Sequence, residues 1–368
     1  EIVSLLEGAE RPLIIAGGGG WSSQARENLW AFVAASGIPV LSAFRYHDVF
    51  DNDHVAYCGD AGVGMLPHVK QMIMDCDILI ALNIRFGEMT TDAYTVAKPP
   101  NFSATLIHSH ASDRELGKIY GADLPIHAGP LEMVKLLAGI SGKLQAKASW
   151  VSWRKTGRKA FEASQEAPPQ PGDMDMGKVC GWLRENLPED CIVTNGAGNF
   201  AIWPNKFLRF SPARRLLAPQ SGAMGYGLPA AVAAKIAEPE KLVLCFAGDG
   251  DLQMNFQELG TAMQADARPV ILVLNNGSYG TIRMHQERHY PERVSGTELV
   301  NPDFVAIANA YGMHAERLEK TGDFPEAFRR AAESKTGALL ELMIPMEAIT
   351  PRATLADIRR QARATERS

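Results

Sequence analysis

The sequence has five cysteines in 368 residues, no apolar run of membrane-spanning length and no surplus of positive charge. Each shortage removes a class of protein. Cys58, Cys76, Cys180, Cys191 and Cys245 are odd in number, form no Cys-x-x-Cys pair and mostly sit in or beside apolar runs, which excludes a disulfide framework and points to buried thiols in a reducing compartment. No stretch approaches the roughly 18 apolar residues of a membrane span. The opening "EIVSLLEGAERPLIIAGG" lacks the basic region and long apolar segment of a secretory signal. The expectation is a soluble, cytoplasmic chain. Lys and Arg number 37 against 42 Asp and Glu, a net charge of -5, so the broad positive field required by nucleic acid or an anionic membrane is missing. A small-molecule partner is expected instead. The first residue is Glu1 rather than Met, and the chain is expected to be a piece of something longer.

What is present is an alternation of short β-rich runs with longer helical patterns. "PLIIAG" (12–17), "IPVLSAF" (38–44), "DILIALN" (77–83) and "ATLIHSH" (104–110) read as strands, with helical segments such as 23–36 between them. That pattern predicts a parallel, doubly wound α/β sheet. The character changes over about 141–177, helical at first and then rich in Pro and Gly. A second series follows: "CIVTN" (191–195), "RRLLAP" (214–219), "KLVLCFAG" (241–248), "PVILVLNN" (269–276) and "ALLELMI" (338–344). With 46% hydrophobic residues there is material for two cores. The expected organisation is therefore two doubly wound parallel-sheet domains, residues 1–145 and 178–368, joined by a linker at 146–177. No repeat of solenoid period occurs, and the tail from Ile349 reads as a polar terminal helix.

Two strand ends in the second half carry unusual chemistry. "KLVLCFAGDG" closes on Gly248-Asp249-Gly250, and "PVILVLNNG" on Asn275-Asn276-Gly277. In a parallel sheet ligands gather at the carboxyl ends of strands, and the chain between Asp249 and Asn276 suffices for one crossover helix and a return strand. A carboxylate, an amide oxygen and a nearby carbonyl, completed by phosphate oxygens and water, form the hard-oxygen shell that Mg²⁺ prefers. The glycines let backbone N–H groups approach a phosphate. Each motif alone is ordinary turn chemistry. Their pairing at crossover spacing argues for a diphosphate bridged to the protein through a divalent cation.

This pairing resembles the thiamine-diphosphate signature, and nearly the whole chain resembles the central and C-terminal domains of the acetolactate synthase-like thiamine-diphosphate enzymes. "QSGAMGYGLPAAVAA" (220–234) resembles the segment that grips the aminopyrimidine, and "NGAGNFAIW" (195–203) the loop facing the terminal phosphate. The resemblance implies that the Gly222 carbonyl accepts a hydrogen bond from the cofactor, that Met224 is the apolar wedge bending it, and that Gly198 and Asn199 meet the phosphate. It implies Mg²⁺ held by the Asp249 and Asn276 side chains and the Ser278 carbonyl. Gly248, Gly250, Asp251, Tyr279, Gly280, Thr281 and Ile282 complete the implied cofactor set.

The implied activity is decarboxylation and carboligation of 2-oxo acids, acetolactate synthase-like. Simple 2-oxo acid decarboxylation and an acyl-CoA lyase reaction are alternatives within the family, and a non-catalytic nucleotide-binding or assembly subunit is the alternative outside it. In the family a glutamate from an N-terminal pyrimidine-binding domain, generally of a neighbouring subunit, activates the cofactor. The resembled enzymes build each site between two subunits, which implies a homodimer or homotetramer; that domain is not in this sequence, so the chain is expected to be inactive by itself.

Several positions depart from the pattern or compete with it. His285, with Thr281 and Ile282 before it, falls where acetohydroxyacid synthases place pocket residues, but those enzymes have tryptophan at the position of His285. A pocket histidine would shuttle protons or hold a carboxylate, and a solvated helix histidine is the other reading. His285 and His289 in "HQERH" imitate a zinc helix, yet Glu287 stands one position too late. Asp251 replaces a frequent Ser and, being repelled by a diphosphate, is expected to turn away or order the loop through its neighbours. "AGGGGWSS" (16–23) is a weak dinucleotide fingerprint with Ser23 at the third glycine position, and "GDAGVG" (59–64) reads as a loop. In the resembled family the central domain binds FAD in some members, ADP in others and nothing in many. Arg85 and Phe86 match an FAD-contacting segment, which leaves FAD and a sheet kept for assembly both open. His108 and His110 share one face of a strand and read as two satisfied histidines at a strand end rather than a metal site.

Overall fold

The computed structural model describes residues 1–366. They form two compact units, Glu1–Gln165 with Arg209–Ala213, and Glu166–Leu208 with the chain from Arg214 onward.

The first unit is built on six parallel strands, β1 (Pro12–Ala16), β2 (Val40–Ala43), β3 (Tyr57–Ala61), β4 (Ile78–Leu82), β5 (Thr105–His110) and β6 (Leu124–His127), in the order β3-β2-β1-β4-β5-β6. The central strands are apolar at every position because helices cover both faces. Alternation divides them: Ile14, Val40 and Ile80 face one core, while Leu13, Ile15, Leu41 and Leu79 face the other. The helix Ser23–Ser36 starts where Ser22 Oγ accepts from Ala25 N–H (3.2 Å) and stops at Gly37, whose φ of 72° only glycine adopts without strain. β3 and β6 are missing from the sequence-based strands because "YCGDA" and "LPIH" carry Gly, Asp or Pro. Those residues are tolerated where β3 and β6 stand, at the two edges of the sheet.

The stretch 146–177 divides at Gln165 rather than acting as one linker. Its first half is the helix Ala148–Ala163 of the first unit, held by buried Trp150 and Phe161 and by Trp150 Nε1 donating to the Ala9 carbonyl (2.9 Å). Burial of two large aromatic rings outweighs the polar composition around them.

The second unit has strands β7 (Ile192–Asn195), β8 (Arg215–Leu217), β9 (Val243–Gly248), β10 (Val270–Asn275), β11 (His314–Leu318) and β12 (Ala338–Met343), in the order β11-β12-β10-β9-β7-β8, again all parallel. β9 and β10 are neighbours, with Leu274 opposite Gly248, so the loops that follow them leave the sheet side by side. The tail does more than the sequence promises. Its helix Leu355–Glu366 packs Leu355 and Ile358 with Met284 and Ile349 against the helix Gly280–His289. All five thiols are buried and unbridged, and burial pushes Cys58 and Cys245 up to about 12. No helix among the described residues is long and apolar enough to cross a membrane.

Candidate functional site

Four loops from distant parts of the second unit, with the segment after β12 as a fifth wall, line one cavity of about 270 Å³. The loop after β7 contributes Gly198 and Asn199, and the segment before the helix Gly227–Ala237 contributes Gly222 and Met224. The turn after β9 contributes Gly248, Asp249, Gly250 and Asp251; the turn after β10 contributes Asn276, Ser278, Tyr279, Gly280, Thr281 and Ile282. Sequence proximity explains none of these meetings. They follow from the strand order, which places β9 between β10 and β7.

Asp249 is where the turns join. Its Oδ1 accepts from Gly250 N–H (2.9 Å), while Oδ2 accepts from Gly277 N–H across the strand boundary (2.8 Å) and from Asn301 Nδ2 (2.7 Å). The side chain is 3% exposed. Burial pushes its carboxyl up, against the hydrogen bonds from Asn301 and from the Gly250, Gly277 and Ser278 N–H groups. Asn276 Oδ1 accepts from Ser278 N–H (3.1 Å), closing the turn, and Ser278 Oγ donates to the Thr297 carbonyl (2.7 Å). The glycines are needed for space: a Cβ at Gly248 would stand 2.7 Å from the Phe200 ring, and one at Gly250 2.6 Å from the Tyr279 ring.

Asp251 also lines the cavity, but its carboxylate is committed to the backbone. Its Oδ1 accepts from Ala197 N–H (3.0 Å) and Gly225 N–H (2.9 Å), tying the loop that carries Gly198 to the segment that carries Met224. Asn199 likewise works within the wall. Its N–H donates to Thr281 Oγ1 (2.9 Å), which donates on to Asn199 Oδ1 (3.0 Å), and its Nδ2 donates to the Ile349 carbonyl (2.9 Å).

His285 is not brought in with the others. It lies beyond the first turn of the helix Gly280–His289, exposed, with its ring stacked on His289 at 6.2 Å. Partial burial, then the charges of Arg288 and His289, push it below the usual histidine value. Thr281 and Ile282 reach the wall because the helix begins there; His285 lies on the same face one turn further along, outside the lining. Among the described residues no group of three or more His, Cys, Asp and Glu side chains gathers as for a metal ion. One carboxylate with an amide and a carbonyl is a donor set of the kind Mg²⁺ completes with phosphate and water.

Sequence reasoning missed Asn301, which touches Asp249 from a loop with no motif of its own. It also missed the apolar walls Trp203, Leu274, Ile344, Ala348 and Ile349. In isolation, each of these residues reads as core.

In the first unit the strand order reverses between β1 and β4, the place where a dinucleotide would enter an open sheet. Asn83 occupies it. At φ 55° and 4% exposed, its Nδ2 donates to the Gly19 carbonyl (2.8 Å) after β1, and its Oδ1 accepts from Ala111 N–H (3.0 Å) after β5. Phe86 is packed among Phe102, Tyr120 and His108, with Tyr120 ring centroids 5.3 Å away. His108 Nε2 pairs with the Ile84 carbonyl at 3.0 Å, and Arg85 with Glu115 at 3.3 Å. Asn83 thus ties the two loops at that crevice, and Phe86 is part of the core beneath it.

Comparison with known proteins gives matches to both units. Residues 196–342 match the family model "Thiamine pyrophosphate enzyme, C-terminal TPP binding domain", and residues 1–137 match "Thiamine pyrophosphate enzyme, central domain". The chain is 29% identical over 348 residues to the acetolactate synthase large subunit of Parasynechococcus marenigrum, covering 93% of this chain and 55% of that protein. It is 30% identical over 355 residues to the probable acetolactate synthase large subunit of Methanocaldococcus jannaschii, covering 94% and 59%. With acetolactate synthase isozyme 2 large subunit of Escherichia coli it shares 28% over 343 residues, covering 92% and 61%. The chain thus spans less than two thirds of the length of these curated relatives.

Proposed function

Because the chain belongs to the thiamine pyrophosphate enzyme family, we propose that its second unit holds thiamine diphosphate through Mg²⁺ and serves decarboxylation and carboligation of 2-oxo acids, as the names of its acetolactate synthase relatives suggest. The observation that carries this reading is the convergence of four loops on one cavity, with Asp249 tied to the turn after the neighbouring strand. Asp249 Oδ1, the Asn276 amide oxygen and the Ser278 carbonyl are the residues' own candidates for the cation. N–H groups along the glycine-rich turns, with the Asn199 loop, face the anionic end. Gly222 and Met224 serve the other end, the first through a carbonyl acceptor and the second as an apolar wall.

The coenzyme, when bound, supplies an electron sink for a substrate carbon that loses carbon dioxide. The protein's part is orientation and exclusion of water: Met224, Leu274, Ile344 and Ile349 give the cavity an apolar lining against which polar contacts strengthen. No glutamate is among the residues lining the cavity. The reading includes completion of the site by a glutamate from a pyrimidine-binding domain, in a homodimer or homotetramer. The reading includes no flavin, a choice supported by the Asn83 tie between the loops after β1 and β5.

Calorimetric titration with thiamine diphosphate and MgCl₂ tests the site. Binding that disappears in Asp249→Ala is expected; no binding, or binding unchanged by that substitution, overturns the proposal. Product analysis with pyruvate, with and without a second carbonyl acceptor, then separates ligase from simple decarboxylase.

A further inference from the structure

Behind the cavity wall, a line of side chains runs to Asp249 from the far side of the sheet. Arg317 on β11 stands opposite Glu341 on β12 and donates from Nε to Glu341 Oε2 (2.7 Å). Glu341 Oε1 accepts from Asn275 Nδ2 (2.7 Å); Asn275 Oδ1 accepts from Asn301 Nδ2 (2.8 Å) and from Gly277 N–H (3.0 Å). Asn301 Nδ2 spends its second hydrogen on Asp249 Oδ2 (2.7 Å), and its Oδ1 accepts from Gln253 Nε2 (2.9 Å). Glu341, Asn275 and Asn301 are not part of the cavity lining.

Glu341 interrupts the apolar run "ALLELM" in the interior of the sheet and is 1% exposed. A buried carboxylate is costly even when paired, and apolar packing there would be at least as stable. Its position therefore calls for a purpose other than stability. The direction of the hydrogen bonds supplies one. Carboxylates at the two ends, Asp249 and Glu341, only accept, so both amides can be placed in one sense alone. Asn275 must turn its NH₂ to Glu341 and its oxygen to Gly277 and Asn301; Asn301 must turn its NH₂ to Asp249 and its oxygen to Gln253. Flipping either amide sets donor against donor. At Asp249, Oδ2 takes hydrogen bonds from Gly277 and Asn301 and Oδ1 takes one from its neighbour Gly250, while the Ser278 N–H also turns to the carboxylate.

We infer that Glu341, Asn275 and Asn301 are positioning residues that saturate Asp249 Oδ2 and so leave Oδ1 as the single carboxylate oxygen offered to a divalent cation. This rests on the proposed cation site and adds to it how its geometry is enforced. One-oxygen coordination suits the compact octahedron of Mg²⁺, whereas Ca²⁺ readily takes both oxygens of a carboxylate.

The test is equilibrium binding of Mg²⁺ and of Ca²⁺ to the full chain with saturating thiamine diphosphate, in the parent, Asp249→Ala, Asn301→Ala and Glu341→Gln forms, with circular dichroism confirming the fold. Asn301→Ala, on a loop, is expected to weaken Mg²⁺ by about 10-fold, the usual size of an outer-shell loss. It should weaken Ca²⁺ less, so that the Mg²⁺/Ca²⁺ affinity ratio falls. General loosening of the loop would lower both affinities alike and leave the ratio unchanged. Glu341→Gln should move the ratio in the same direction, and the double variant should lose less than the product of the single losses. If Asp249→Ala abolishes cation binding while Asn301→Ala leaves affinity and ratio within twofold, the positioning inference is overturned and the site stands. If Asp249→Ala changes nothing, the site itself is wrong and the inference goes with it.

Discussion

Asp251 shows how a single carboxylate can belong to a binding site without facing its ligand. The side chain is turned to two backbone N–H groups, the half-buried Ala197 and the buried Gly225, the second of which would otherwise be buried without an acceptor. Replacing Asp251 by Ala strips both, and each stranded donor costs about 1–3 kcal/mol. Urea unfolding should therefore show a loss of about 2–4 kcal/mol for Asp251→Ala. Asp251→Asn, which keeps one acceptor oxygen, should lose less than half of that. Equal stabilities for the two variants would disprove the stapling role. The conflict with a diphosphate was legible at this residue from charge alone. Its resolution was not, because the two N–H groups it serves lie far away in sequence.

At the scale of elements, the helix Leu355–Glu366 is the least expected part of the cavity's support. Its sequence is largely polar, and beside the apolar contacts of Leu355 and Ile358 it is held by Glu287, fully buried on the helix Gly280–His289, which accepts two hydrogen bonds from Arg359 (2.9 and 2.8 Å) and one from Arg283 (2.8 Å). The Glu292 N–H adds another (3.0 Å). The hydrogen bond from Arg359 leads in holding the Glu287 carboxyl down to about 2, from an ordinary 4.5. Since the folded value lies below the unfolded one, this docking energy is complete above about 4.5 and is lost as pH falls from there towards about 2. Hydrogen exchange in the helix Leu355–Glu366 should accordingly speed up across that acid window. In Glu287→Gln the helix should be loosened at neutral pH and should show little further change on acidification. Unchanged protection in acid for the parent would sink the argument. Arg359→Ala should cost about 3 kcal/mol, the low end for stripping a partner from a buried charge, because Arg283 remains.

For the whole molecule, the two units have the same architecture and different contents. Both are six-stranded parallel sheets with a reversal of strand order, and in each the reversal brings loops together. In the second unit those loops frame a cavity; in the first, Asn83 ties them together. Ligand binding to one unit should stabilise that unit by mass action and leave the other's local opening unaffected. Hydrogen exchange with saturating thiamine diphosphate and Mg²⁺ should therefore slow in peptides spanning 195–203, 220–228, 248–252 and 276–284. FAD at the same concentration should leave the strands and loops of the first unit unchanged. Protection around Asn83 by FAD would show that the tie opens and that a flavin belongs there.

Sequence by itself determined the fold class and most of the cavity wall. Apolar runs at strand length announce a sheet buried on both faces, and glycine, aspartate and asparagine at two strand ends one crossover apart single out the turns that line the cavity. Tertiary structure decided the rest. Whether Asp249 meets Asn301, whether Asp251 turns aside, whether His285 reaches the wall and whether a polar tail docks all depend on distances between segments remote in the chain. Those distances come from strand order and helix rotation, which arise from packing the whole unit and leave no trace in the local run of residues.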